Sequence, residues 1–260
     1  MGQKYDRAYS AVIRRLWHEM PEEQRSAPDV RDRQGQLASD APDEFALHDS
    51  LTYQPGHADV FRETYKAAPH TPPKKNQRLL VVDIGAGAAT VAVGLCEALG
   101  RKTRRRIDYL AFDPNPMMRK LGRQLLDHLD PGFRSAGYVK SLKEIDVTGS
   151  SRLLFAFSYV SHQDSVTESD IEQWAHLIKG AVGEVSQAVE LMYTTAALPG
   201  GALPQLGRQL DHAGLTRRIT QVPVQVRARY PMDGADQCLV EWDNKSWSWK
   251  VRAEHWILRA

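Results

Sequence analysis

The feature that most constrains this chain is a continuous apolar run, Leu79-Leu80-Val81-Val82, which stops at Asp83-Ile84-Gly85-Ala86-Gly87. An apolar run without polar alternation is how a strand buried on both faces reads, and such strands belong to parallel sheets covered by helices. Two glycines directly after it permit a tight turn and a close approach of backbone to a ligand. A helix is expected over roughly 88–99, and the alternation then repeats. Strands are expected at 107–112, 133–139, 153–157 and 189–193, with helices at 117–129, 169–187 and 203–212. In the helix at 117–129, Met118, Leu121, Leu125 and Leu129 share one face. The end of the chain reads as β at 218–230, 237–242 and 247–258 without intervening helices. This pattern predicts an α/β fold with a doubly wound, mostly parallel sheet and an antiparallel pair at one edge.

Before residue 76 the pattern differs. Tyr5, Tyr9, Val12, Leu16 and Met20 recur at steps of three or four and predict an amphipathic helix over 4–20, closed by Pro21. Residues 21–56 are polar and rich in Pro, Asp and Gly, and read as loop with short helical turns. A second helix is expected over 57–68 with Val60, Phe61 and Tyr65 inward. The breaker segment 69–75 places a boundary between a cap (1–75) and a main domain (76–260). The longest apolar run falls short of the 18 residues that would suggest a membrane span. The N-terminus lacks the apolar core of a signal peptide. Cys96 and Cys238 are the two cysteines, too few for a disulfide framework. These features predict a cytoplasmic protein. The net charge of +2 is too small to predict nucleic-acid binding from bulk electrostatics.

The glycine turn discriminates among ligands. A P-loop is excluded because no Gly-Lys-Ser/Thr follows. A dinucleotide fingerprint would need a third glycine where Thr90 stands, and Asp83 sits poorly beside a pyrophosphate. A carboxylate there suits a ligand carrying positive charge. The second strand ends in Phe112-Asp113-Pro114-Asn115-Pro116. The Asp113 carboxylate can accept two hydrogen bonds from ribose hydroxyls. The alternative is that Asp113 caps the helix that begins near Pro116.

Together these motifs resemble the class I S-adenosylmethionine-dependent methyltransferases over roughly residues 78–260. The resemblance implies a Rossmann-like, seven-stranded sheet with an antiparallel edge strand, here preceded by an N-terminal helical cap. It implies a cofactor site for S-adenosyl-L-methionine at Asp83, Gly85, Ala86, Gly87, Asp113 and Pro114. It also matches residues 203–214 to the helix that precedes the sixth strand. The chain departs from the family in a long interval of 30 residues between Asp83 and Asp113, extended by the RKTRRR segment. It departs again in the acid missing from the third-strand end (138–142), so no adenine contact is assigned. In the family, groups near the transferred methyl follow the fourth strand, here Ser158-Tyr159-Val160-Ser161-His162-Gln163. Ser158 and Tyr159 are expected to line the cofactor pocket. His162 is the candidate proton acceptor, or else a hydrogen-bonding loop residue. No Asp/Asn-Pro-Pro-Tyr/Phe motif occurs there, and Cys96 reads as the buried face of a helix, so a covalent cysteine route is not expected. No metal site is assigned.

Arg101, Lys102, Arg104, Arg105 and Arg106 form the strongest charge run. It is a candidate contact for RNA or an acidic partner, or a solvated turn, and it lies at the end of the sheet away from the cofactor. Trp242, Trp247, Trp249 and Trp256 crowd the last strands and read as packing more than as base-stacking residues. In the segment 53–57, Tyr53-Gln54-Pro55-Gly56-His57 lies close enough to the main domain to act as a lid. The expected activity is methyl transfer, with RNA (ribosomal or transfer RNA) or a small molecule as acceptor. A non-catalytic S-adenosylmethionine-binding subunit or assembly factor is the alternative.

Overall fold

A computed structural model describes residues 3–21, 43–69, 72–160, 166–185, 188–196, 202–228 and 247–260. The N-terminal part holds α1 (Gln3–Tyr9), which continues through a π-helical segment (Ser10–Arg14) into α2 (Arg15–Glu19). Then follow α3 (Asp43–Thr52) and α4 (Gln54–Ala67). The main part runs β1 (Leu79–Ile84), α5 (Thr90–Ala98), α6 (Arg101–Arg104), β2 (Ile107–Phe112) and α7 (Pro116–Leu129). It continues with β3 (Ser135–Val139), β4 (Arg152–Ser158), α8 (Glu168–Glu184) and β5 (Ala188–Ala196). It closes with α9 (Leu203–His212), β6 (Thr216–Gln221), β7 (Gln225–Ala228) and β8 (Trp247–Arg259).

The strands form one sheet in the order β3-β2-β1-β4-β5-β8-β6. Strands β1 to β5 pair in parallel, and β8 runs antiparallel to both β5 and β6. The doubly wound sheet with its antiparallel strand toward one edge is therefore present, with β8 second from that edge and β6 outermost. The short β7 pairs with the first residues of β8. One β segment predicted over 218–230 is two strands, because Val222-Pro223-Val224 breaks the ladder between them. The segment 237–242 and Trp242 lie outside the described residues. Every residue of β1 is buried, as its unbroken apolar run requires. The sheet order reverses between β1 and β4, the crevice in which open α/β sheets hold ligands.

The N-terminal helices do not stand apart from this sheet. Val60, Phe61 and Tyr65 of α4 share a buried cluster with Val81, Leu95 and Tyr109. Tyr5, Tyr9, Val12, Ile13 and Trp17 pack with Val93, Met118, Leu121 and Leu125. The inward face of the first helix turns midway. Tyr5, Tyr9 and Val12 are buried as expected, but Leu16 and Met20 give way to Ile13 and Trp17. The π-helical segment inserts one residue into the helical period, which moves the apolar stripe around the axis. Helix α3 corrects the loop expected there. Its Ser50 hydroxyl donates to the Ala46 carbonyl, while Tyr9 donates to the Ser50 carbonyl (2.9 Å).

Helices α4 and α5 cross closely because Gly94 has no side chain. A Cβ at that position would lie 2.9 Å from the Ala58 carbonyl oxygen and 3.0 Å from Phe61 Cδ1. Gly94→Val should cost about 1–3 kcal/mol in urea-induced unfolding. An unchanged midpoint would show that the crossing is not tight. A buried ion cluster ties β4, β5 and β8: Glu190 accepts from Arg152 and pairs with His255 at 2.8 Å. Burial alone would raise the Glu190 carboxyl, yet the bonds from His255 and Arg152 hold it below its usual value. Its contribution to stability is thus present at neutral pH and lost as pH falls through that lowered value. Glu190→Ala, which strands Arg152, should cost about 3–5 kcal/mol at pH 7 and less in acid, as read by chemical unfolding.

Candidate functional site

The site is built around the turn from β1 to α5. Gly85 and Gly87 both adopt positive φ (68° and 53°), as does Ala89 (65°), so the backbone coils tightly before α5 begins. Val160, two residues past β4, fills the space that a side chain at Gly85 would need. The amides of Gly85 and Ala86 both donate to the Phe112 carbonyl (2.9 and 3.0 Å), which binds the turn to the end of β2.

Three side chains then grip the turn. Asp113 Oδ2 accepts from the Gly87 amide at 2.8 Å, and Tyr138 of β3 donates to the Gly87 carbonyl at 2.8 Å. Gln54, at the start of α4, donates to the Ala88 carbonyl. The cap helix thus touches the glycine turn directly. Asp113 Oδ1 accepts from the Asn115 amide (2.9 Å), and it is Asn115 that caps α7, accepting from Met117 and Met118. The structure therefore frees Asp113 from the capping role weighed for it. A carboxylate has about four acceptor positions, and two on Asp113 are taken by amides.

Asp83 lies beneath the turn, fully buried, and accepts from the Tyr109 hydroxyl at 2.6 Å. Its Oδ1 has no hydrogen-bond partner among the described residues. Burial pushes its carboxyl up to about 7, the Tyr109 bond opposing this and the Asp113 charge adding to it. Burial likewise pushes Asp113 up to about 6, against the amide bonds from Asn115 and Gly87. A third carboxyl, Asp49 of α3, is raised to about 7 by burial and by Asp113. Its neighbour Ser50 reaches Met118 in the first turn of α7, which sets Asp49 beside the Asp113 corner. Three acidic groups with raised pKa values at one turn are a field that favours a cation.

The other expected residues fall around this core. Ala86 is buried, while Pro114 is exposed and passes its carbonyl to Arg119 (2.7 Å). Ser158 is buried at the end of β4 and accepts from the Thr194 hydroxyl (3.2 Å). Tyr159 is buried with a left-handed backbone (φ 61°) and stacks on His57 of α4, ring centroids 3.6 Å apart. His162 lies outside the described residues. Cys96 corrects the buried face expected of it: it is half-buried, lining a cleft of about 380 Å³ with Tyr5, Arg62 and Arg104. The basic run sits at the far end of the sheet, ahead of β2. Arg104 donates to the carbonyls of Pro131, Cys96 and Leu99, Arg106 to that of Pro73, and Arg101 pairs with Asp130. Lys102 and Arg105 are exposed. Trp256 is buried, donates to Glu254 and lies under Arg217.

Sequence reading missed Asp49, Tyr109 and Tyr138. The two tyrosines carry a weak signal, since each is a polar-tipped residue at an inward position of a strand in a parallel sheet. No protein-family model matches the sequence, and no curated protein matches it. Among solved structures the chain is similar to a magnesium protoporphyrin IX methyltransferase from Synechocystis PCC 6803. The identity is 13%, covering 93% of this chain and 99% of that one, with a TM-score of 0.45. It is similar to a SAM-dependent methyltransferase from Aquifex aeolicus at 14%, covering 79% and 94%, TM-score 0.48. It is also similar to a precorrin-6y C5,15-methyltransferase from Geobacter metallireducens GS-15 at 14%, covering 76% and 85%, TM-score 0.46.

The raised carboxyls carry a measurable sign. A folded-state pKa above the unfolded value stabilises the fold below the unfolded pKa, and that stability is lost as pH rises through the folded value. For Asp83 this window runs from near 4 to about 7. Asp83→Asn should therefore raise the melting temperature of the unliganded protein at pH 8 and leave it nearly unchanged at pH 4. A variant that melts lower at pH 8 would mean that the ionised carboxylate is paired after all.

Proposed function

We propose that the chain is an S-adenosylmethionine-dependent methyltransferase that acts on a small acceptor under its N-terminal cap. The observation that carries this reading is the three-carboxyl corner at the glycine turn, with raised pKa values and an orphan Asp83 oxygen. The cofactor brings an ammonium, a sulfonium and a ribose diol, which suit that donor set. Asp113 keeps acceptor positions beyond its two amide bonds, which supports its reading as the partner of the ribose hydroxyls. The backbone of Gly85 to Gly87 lets the ligand pass close to the chain. Asp83 is fully buried, so it acts through its charge and its grip on the strands.

When bound, the cofactor supplies an electrophilic methyl group. The chain's own task is then to align an acceptor and exclude water, since methyl transfer from a sulfonium depends mainly on in-line positioning. The cap supports a small acceptor over a polymer because Gln54 reaches down to the turn and α4 covers it. RNA is the second reading, supported by exposed Lys102 and Arg105.

Calorimetric titration tests the cofactor. S-adenosylmethionine and its demethylated product should bind with micromolar affinity, more tightly at pH 8 than at pH 5.5, because a cation must displace protons from the raised carboxyls. Asp113→Ala should keep the circular dichroism spectrum and lose at least about tenfold in affinity, given ~1.5–3 kcal/mol per hydrogen bond to a charged group. An unaltered affinity would remove Asp113 from the site, and no binding at all would remove the cofactor. Labelled methyl transfer into a small-molecule pool, and not into RNA, is the expected outcome. The reverse would favour the RNA reading, and affinity without any transfer would favour a non-catalytic binding subunit.

A further inference from the structure

The cap meets β4 through stacked rings. Tyr53, the residue that precedes α4, and His57 on α4 stand four residues apart with ring centroids 5.9 Å apart and planes at 15°. His57 then lies on Tyr159 at 3.6 Å and 9°, so three rings form a short column. Two features of this column run against its own preferences. Aromatic pairs left to themselves settle offset or edge-on, with centroids about 4.5–7 Å apart. Tyr159 also holds a left-handed backbone, which a bulky residue rarely adopts. Strain of this kind persists where surrounding structure imposes it, and it clusters at functional sites. Here the imposition is visible. The Tyr159 amide donates to the Thr194 carbonyl at 2.8 Å, and the next residue, Val160, is lodged against Gly85.

The column's position is equally constrained. Gln54, three residues before His57 and so on the same helix face, bonds the glycine turn at Ala88. Val160, one residue after Tyr159, touches that turn at Gly85. The rings therefore stand at the rim of the crevice between β1 and β4. Tyr53 and His57 are half-buried, with part of each reachable from outside, whereas Tyr159 is buried.

From this we propose that Tyr53, His57 and Tyr159 form the acceptor subsite, and that the acceptor is a flat aromatic or heteroaromatic molecule that enters the column by stacking. The proposal rests on the methyltransferase reading for the word acceptor, and its ring geometry stands independently of it. A planar guest between two rings needs about 7 Å, two van der Waals contacts of ~3.5 Å. Tyr53 stands at the outer end of the column with its centroid 5.9 Å from that of His57, so a rotamer change of Tyr53 lets a planar guest take its place against the His57 ring. The same rings give a saturated molecule of equal size no π-face to match.

The test uses 2-naphthol and its saturated counterpart decahydro-2-naphthol as probes. Each is titrated into the full chain, alone and with S-adenosylhomocysteine, by calorimetry and saturation-transfer NMR. 2-Naphthol should bind at least tenfold more tightly than decahydro-2-naphthol. His57→Ala should weaken it about tenfold, His57→Phe should restore most of that, and neither should change affinity for S-adenosylhomocysteine. Should His57→Ala fail to fold, Tyr53→Ala carries the same expectation from the half-buried outer end of the column. Equal binding of the two probes, or no loss in the alanine variants, overturns the proposal. Naphthol binding without S-adenosylhomocysteine binding upholds the ring subsite and overturns the methyltransferase reading instead.

Discussion

The constraint on which the rest of this molecule depends is the immobilisation of one carbonyl-rich turn, residues 85–89, from four directions. Phe112 holds its first two amides, Asp113 and Tyr138 hold the Gly87 amide and the Gly87 carbonyl, and Gln54 holds the Ala88 carbonyl from above. Each grip comes from a different element: the end of β2, the corner after it, β3, and α4. A turn with three consecutive odd positions of positive φ has no regular ladder of its own to satisfy its polar groups. They must be paired from outside, because a buried backbone group left unpaired costs about 1–3 kcal/mol. The order of the sheet serves that need as well as burial, since β2 beside β1, with β3 on its far side, brings Phe112, Asp113 and Tyr138 to the turn.

The cap belongs to the same logic. Gly94 lets α4 approach α5 until Ala58 and Phe61 touch it, and this places Gln54 over Ala88. The N-terminal helices share buried clusters with the sheet, so the surface that covers the site and the surface that supports it are one packed body. A change in the cap is felt at the turn without an intervening linker.

How much of this was legible follows from which interactions are local. The strands β1, β2 and β4 and helices α5, α7 and α9 could be read because apolar runs, periodic faces and Asn115-Pro116 are local signals. Gly85, Gly87 and Asp113 could be read because a turn at a strand end constrains residue type strongly. Helix α3 could not: its residues show no apolar period, and its place is set by distant partners, Tyr9 and Met118. The turn of the first helix's buried face is equally silent, since one inserted residue leaves no mark in composition. Tyr109 and Tyr138 read as inward residues, but that they meet Asp83 and Gly87 depends on strand order. Asp49 was hidden twice, by lying in a segment that reads as loop and by acting across some 60 residues of chain on Asp113.

The burial of Asp83 and Asp113, with Asp49 half-buried near them, carries a cost that the fold alone does not explain. Carboxyls pushed to about 6–7 are unfavourable to the unliganded protein near neutral pH, and an apolar or amide side chain would serve packing better. Structural carboxylates in this chain look different. Glu190, with Arg152 and His255 on it, is held below its usual value and stabilises the fold at neutral pH. The two kinds of buried acid occupy opposite ends of the sheet. The paired one locks β4, β5 and β8 at the end where Arg152 begins its strand. The strained ones surround the turn at the other end, where the Arg119 charge and two amide bonds only partly offset the burial of Asp113. A cationic ligand at that turn would offset this cost, and its binding would then be coupled to the order of the glycine turn and the position of α4.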